Sequence, residues 1–115
     1  MGIMIAGDID VEPGTEAALL RDAQPHIAAA LAEPGCRAYS WAVDPAKPGR
    51  ILVFEEWDDE AALAGHFAGE PYRDMGAHLG RGIGITGFSV QKYRFDKAEP
   101  VYDESETPRA DFFTV

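Results

Sequence analysis

His66 is the side chain best suited to proton transfer in this chain, because an imidazole changes charge near neutral pH. It falls on the stripe Ala62, Leu63, His66 and Phe67, whose helical spacing turns it inward. Two roles fit that place: an acid–base group on a pocket wall, or a structural histidine bonded to a carboxylate. Trp57, at the end of a strand, reads either as a pocket floor or as core packing, and Tyr72 carries the same two readings. His78 and Arg81 flank a glycine-rich stretch, where they belong either to a mobile lid or to a solvated loop.

Other chemistries fit less well. His26, His66 and His78 are too far apart for a local chelating motif, and Glu55 and Glu56 point to opposite faces of a strand, so no metal is expected. Cys36 has no evident activating neighbour, which makes it a buried apolar thiol rather than a nucleophile. The run Gly80-Arg81-Gly82-Ile83-Gly84 precedes a strand instead of opening a helix, the wrong context for cradling phosphate.

The elements that must position these residues follow from periodicity. Ile3, Ile5, Ile9 and Val11 alternate with polar residues such as Asp8 and Asp10, predicting a half-buried first strand from Gly2 to Val11. Pro13 and Gly14 stop it, and Thr15 is placed to cap a helix carrying Leu20, Ala23, Ile27, Ala30 and Leu31. Pro25 is expected to bend that helix without ending it, because the apolar stripe continues to Glu33-Pro34-Gly35. Cys36 to Val43 reads as a second strand, with Arg37, Tyr39, Trp41 and Val43 on one face and small residues on the other. After the turn-rich Asp44 to Gly49, Arg50 to Trp57 forms a third strand.

Asp58 or Asp59 caps a second helix that ends at Gly69-Glu70-Pro71. Tyr72 to Leu79 adds one or two helical turns, and Thr86 to Phe95 is a fourth strand. Strand, helix, strand, strand, helix, strand is the ferredoxin-like split βαβ order, an α+β fold with a four-stranded antiparallel sheet and helices on one face. Glu16-Ala17-Ala18-Leu19 and Glu60-Ala61-Ala62-Leu63 echo each other at the start of the two helices, as two similar halves would.

At 115 residues the chain divides into one domain over residues 1–95 and an acidic tail over 96–115, expected to be mostly solvated. Phe112, Phe113 and Val115 interrupt the tail's polarity, either docking on a surface or fraying. A net charge of −10 repels phosphate backbones and anionic lipids, so neither nucleic acid nor membrane is an expected partner. With a single cysteine, and no basic-then-apolar leader at its start, the chain reads as cytoplasmic.

The sheet itself raises a partner. Tyr39, Trp41, Val43, Ile51, Leu52, Val53 and Phe54 put apolar side chains on both faces of strands two and three. Helices cover only one face, so a homodimer pairing the other two faces into a barrel is expected.

Three stretches carry a resemblance. They are Glu33-Pro34-Gly35-Cys36-Arg37-Ala38-Tyr39, the connector Asp44-Pro45 through Pro48-Gly49-Arg50, and Glu55-Glu56-Trp57-Asp58-Asp59-Glu60-Ala61-Ala62-Leu63 followed by His66. In order and spacing they resemble the antibiotic biosynthesis monooxygenase superfamily over about residues 3 to 95. The resemblance implies a dimeric α/β barrel. It also implies one of several chemistries: oxygenation of quinols and polyketide phenols without metal or flavin, haem degradation, or isomerisation of small signalling molecules. Haem-degrading members use a first-strand asparagine with a tryptophan and a histidine; this chain has no asparagine, and Gly7 and Asp8 stand in that stretch. That departure weighs against haem and against the quinol oxygenases that share the asparagine.

Cofactor-independent oxygenation needs little from a protein beyond a dry aromatic hollow and a group that handles the substrate's proton. On this reading His66 is the base, Tyr39, Trp41, Trp57, Phe67 and Tyr72 line the hollow, and Arg73, Arg81 or His78 steadies the anion. The expected substrate is a small aromatic phenol or quinol, with no cofactor. A binder of a small hydrophobic metabolite, or an isomerase of the same fold, are the alternatives.

Overall fold

The computed structural model describes residues 2–80 and 84–115. Arg81 lies outside the described residues, and with it that residue's part in a lid or anion site.

Strands β1 (Gly2–Asp10), β2 (Cys36–Val43), β3 (Arg50–Trp57) and β4 (Gly87–Phe95) form one antiparallel sheet in the order β2-β3-β1-β4. Helices α1 (Glu16–Leu31), α2 (Glu60–Ala68) and α3 (Glu70–Gly80) complete the ferredoxin-like α+β fold. No helix among the described residues is long and apolar enough to cross a membrane.

Period-two alternation decides which residues meet the helices. Ile3, Ile5 and Ile9 of β1 share a face with Ile51, Val53 and Trp57 of β3 through the register Ile3↔Trp57 and Ile9↔Ile51, and all six are buried. Leu19, Ala23 and Ala30 of α1, Leu63 of α2 and Met75 of α3 close over them. Each fully buried large aliphatic chain contributes roughly 1.5–3 kcal/mol. The opposite face carries Met4, Ala6, Leu52 and Phe54; Leu52 and Phe54 are 41% and 39% exposed.

Local signals hold with three revisions. The helix α1 does run through Pro25 to Leu31. Thr15 occupies its N-cap position, but its hydroxyl donates back to Glu12 O at 2.6 Å, and no cap bond forms. Glu16 serves that turn instead, its carboxylate accepting from Gly14 N at 2.6 Å and Gly49 N at 2.7 Å. A bulge between Cys36 and Ala38 separates Arg37 from the face of Tyr39 and Trp41; Arg37 is exposed and pairs with Glu56 and Asp58. The segment after α2 is a helix of 11 residues, longer than one or two turns, because Pro71 suits a first helical turn and Met75 and Leu79 give it a buried stripe. Asp59 caps α2 by accepting from Ala62 N at 2.8 Å.

Candidate active site

Between the helix-facing side of the sheet and α3 lies a cavity of about 620 Å³. Its sheet wall is Ile5, Tyr39, Trp41, Val53 and Glu55; α2 and α3 add Phe67, Tyr72, Arg73, Met75 and Leu79; β4 supplies Phe88, Val90 and Lys92. The lining is mostly apolar with a few polar groups, the usual makeup of a small-molecule site.

Glu55 is the buried carboxyl in that wall, directly opposite Tyr39 in the β2–β3 register. Strand parity puts it there: residues 51, 53, 55 and 57 all face the helices, so a carboxylate occupies an otherwise apolar row. Burial pushes its carboxyl above the usual range, an effect the Trp57 indole and His66 partly offset and Glu33 reinforces. Trp57 Nε1 donates to Glu55 Oε1 at 3.0 Å, which leaves Oε2 for a ligand. Burial, followed by the nearby Glu55 carboxyl, pushes the Tyr39 phenol well up, so it stays a neutral hydroxyl.

The sequence-designated residues divide into two groups. Tyr39, Trp41, Phe67, Tyr72 and Arg73 come together on the cavity wall. His66 and Trp57 do not line it. Trp57 is fully buried, and the His66 ring, 2% exposed, stacks against it with centroids 4.5 Å apart while Tyr39, Phe67 and Tyr72 pack around the edge. Nδ1 of His66 lies 2.6 Å from Glu33 Oε1. A carboxylate only accepts, so the proton of that bond sits on Nδ1. The histidine thus stands one layer behind the cavity, because apolar neighbours on both sides of its helix stripe enclose the ring.

Nitrogen donors of Trp41, Arg73 and Lys92 line the hollow. Trp41 Nε1 is buried and meets no acceptor among the described residues, an unusual state that an oxygen of a ligand would relieve. Arg73 also lines the cavity, with one guanidinium nitrogen donating to Ala68 O at 2.9 Å. Lys92 is a second cation on the wall, which sequence reasoning passed over together with Glu55.

His78 is neither lid nor solvated loop. It lies within α3, and its Nε2 donates to Leu19 O at 3.0 Å, fastening α3 to α1. The thiol of Cys36 is half-buried and pushed up chiefly by that burial, consistent with an inert thiol.

The model of the antibiotic biosynthesis monooxygenase family matches residues 2–77. An uncharacterised protein of Synechocystis is 37% identical over 65 residues, which cover 56% of this chain and 44% of that protein, so the match spans under half of the relative's length. Among solved structures, a conserved protein of Methanosarcina mazei aligns with TM-score 0.73 at 21% identity, over 84% of this chain and 94% of that one. A candidate antibiotic biosynthesis monooxygenase of Deinococcus radiodurans aligns with TM-score 0.72 at 25% identity, over 90% of this chain and all of its own. A family match over the whole of β1 through most of α3, on a sheet of matching topology, leads to one assignment: the chain belongs to the antibiotic biosynthesis monooxygenase family.

Proposed function

We propose that this protein is a cofactor-independent monooxygenase acting on a small aromatic phenol or quinol held in the cavity under α3. The observation that carries the reading is Glu55, a buried carboxyl with a raised pKa inside an aromatic-walled hollow. A carboxyl raised from its ordinary range is a better base near neutral pH than an exposed one.

The substrate stacks among Tyr39, Phe67 and Tyr72 and directs its hydroxyl at Glu55, with Trp41 Nε1, Lys92 and Arg73 supporting the oxygen as it becomes anionic. Glu55 accepts the hydroxyl proton. The anion passes one electron to dioxygen, the two radicals join in a carbon–oxygen bond, and Glu55 returns its proton to the resulting peroxide. The carbon bearing the peroxide then loses its hydrogen as a proton to Glu55, and the C–H electron pair forms the new carbonyl as the O–O bond breaks. The outer oxygen takes that proton and leaves as water, so a phenol and dioxygen give a quinone and water with all electrons drawn from the substrate. His66 acts through the stack on Trp57 and so positions Glu55.

The same reading takes the working unit as a homodimer in the cytoplasm, its two copies joined through the sheet faces that bear Leu52 and Phe54. Product mass under ¹⁸O₂ tests the reaction. One labelled atom per product supports it; turnover of reduced quinones or polyhydric phenols without label overturns it. Binding without oxygen uptake would favour a metabolite-binding role.

A further inference from the structure

The cations of this chain fall into two sets. With 20 acidic side chains against 10 basic ones, a cation without a carboxylate beside it is unexpected. Arg21, Arg37, Lys47, Arg50, Lys97 and Arg109 each pair with at least one. Among the described residues Arg73, Lys92 and Arg94 have no such partner. Arg73 and Lys92 are also the cations that line the cavity, and Glu55 is the acid that lines it with them.

Strand register says where Lys92 stands. Ile5 of β1 lies opposite Glu55 on β3 and opposite Lys92 on β4, so the three side chains form one row across the helix-facing side of the sheet. All three belong to the cavity wall. Two strand spacings put about 10 Å between the Cα atoms of Glu55 and Lys92, with an isoleucine as the floor between them. Arg94, opposite Ile3, continues the same face of β4, and Arg73 brings its charge from α3. A lysine on the edge strand β4 also discourages stray strand pairing, but that role calls for no second cation on a helix lining the same hollow.

A neutral phenol leaves these charges unused. With Glu55 ionised, the described wall bears two positive charges and one negative, and one further negative charge on the substrate balances it. The balance also survives the proton transfer, because passing the hydroxyl proton to Glu55 only moves a negative charge from the carboxylate to the phenolate. We infer that the substrate is a hydroxyaromatic carboxylate, with its hydroxyl at Glu55 and its carboxylate at Lys92. A phosphate monoester, carrying about −1.5 to −2 at neutral pH, would overbalance the wall. The cavity of about 620 Å³ has room for one or two fused rings over Ile5, with Tyr72 and Val90 beside them.

This inference rests on the proposed reaction in placing the hydroxyl at Glu55, and a binding measurement separates the two. Isothermal titration calorimetry compares 6-hydroxy-2-naphthoate with its uncharged amide on wild type, Lys92→Gln and Lys92→Arg. The side chain of Lys92 is exposed, so neither substitution disturbs the core. The acid is expected to bind wild type about fivefold or more tightly than the amide, an advantage lost in Lys92→Gln, kept in Lys92→Arg and reduced by salt. Equal affinities in wild type, no binding of the acid, or an advantage that Lys92→Gln leaves intact overturns the inference. Oxygen incorporation is read apart from it: a protein that keeps the Lys92-dependent preference but inserts no label loses the reaction and retains the anion site.

Discussion

The indole N–H of Trp57 donates to Glu55 Oε1 across 3.0 Å, and that bond links the packed core to the wall of the cavity. Trp57 in turn lies against His66, which is bonded to Glu33 at the end of α1. A carboxyl on the cavity wall is therefore braced from α1 through α2 to β3.

Replacing Trp57 with Phe removes the bond and part of the packing, at a cost of about 2–4 kcal/mol in urea unfolding. The indole is what holds the Glu55 carboxyl down against burial, so its pKa should climb further in this variant. A ¹³C titration of the Glu55 carboxyl reads that directly.

Glu55→Gln should change the pH dependence of stability with a definite sign. Because the folded carboxyl titrates above its unfolded value, the protonated form favours folding; that contribution is full below about pH 4.5 and fades as pH rises through the folded pKa. Glutamine carries no such penalty. Between acid and neutral pH the variant is expected to gain stability relative to wild type, measured by parallel denaturant titrations. A constant difference across that range would mean that the carboxyl is not raised.

His66 separates positioning from proton transfer. Truncation to Ala opens a void beside Trp57 and should cost about 2–4 kcal/mol. His66→Phe keeps the ring stack, and should recover more than half of that loss together with most of the oxygen uptake. A well-folded His66→Phe protein with no uptake would return the proton to the imidazole.

Gly7 marks a close approach of strands. A Cβ placed there would stand 2.1 Å from Ser89 O and 2.6 Å from Val90 Cα, both backbone atoms of β4. Gly7→Ala must therefore pry β4 from β1, with an expected loss of about 3 kcal/mol in thermal or urea unfolding.

The strands were legible because a half-buried sheet writes its faces as alternating residues; β2 and β3 begin and end where the pattern places them, at Cys36, Val43, Arg50 and Trp57. The aromatic cavity wall was largely legible for the same reason. Glu55 was not, although its signal was present: it shares parity with Val53 and Trp57, and a carboxylate in an apolar row is a buried acid. The depth of His66 escaped because helical spacing says that a ring turns inward, not how many layers cover it. The tail is as exposed as its charge predicts. Its internal order was not legible, because Asp103 and Glu99 accept from backbone N–H groups within the tail, and such bonds leave little trace in composition.

Gly76 offers a way to close the cavity without touching the carboxyl, since it lines the hollow and a Cβ there meets nothing within 4 Å. Oxygen uptake with reduced quinones in wild type, Glu55→Gln and Gly76→Phe is the most direct measurement. Uptake should fall about 100-fold or more when Glu55 loses its acid–base function, through kcat. In Gly76→Phe it should fall through substrate binding, with the melting temperature retained. Full activity in both folded variants would place the reaction elsewhere and contradict the account.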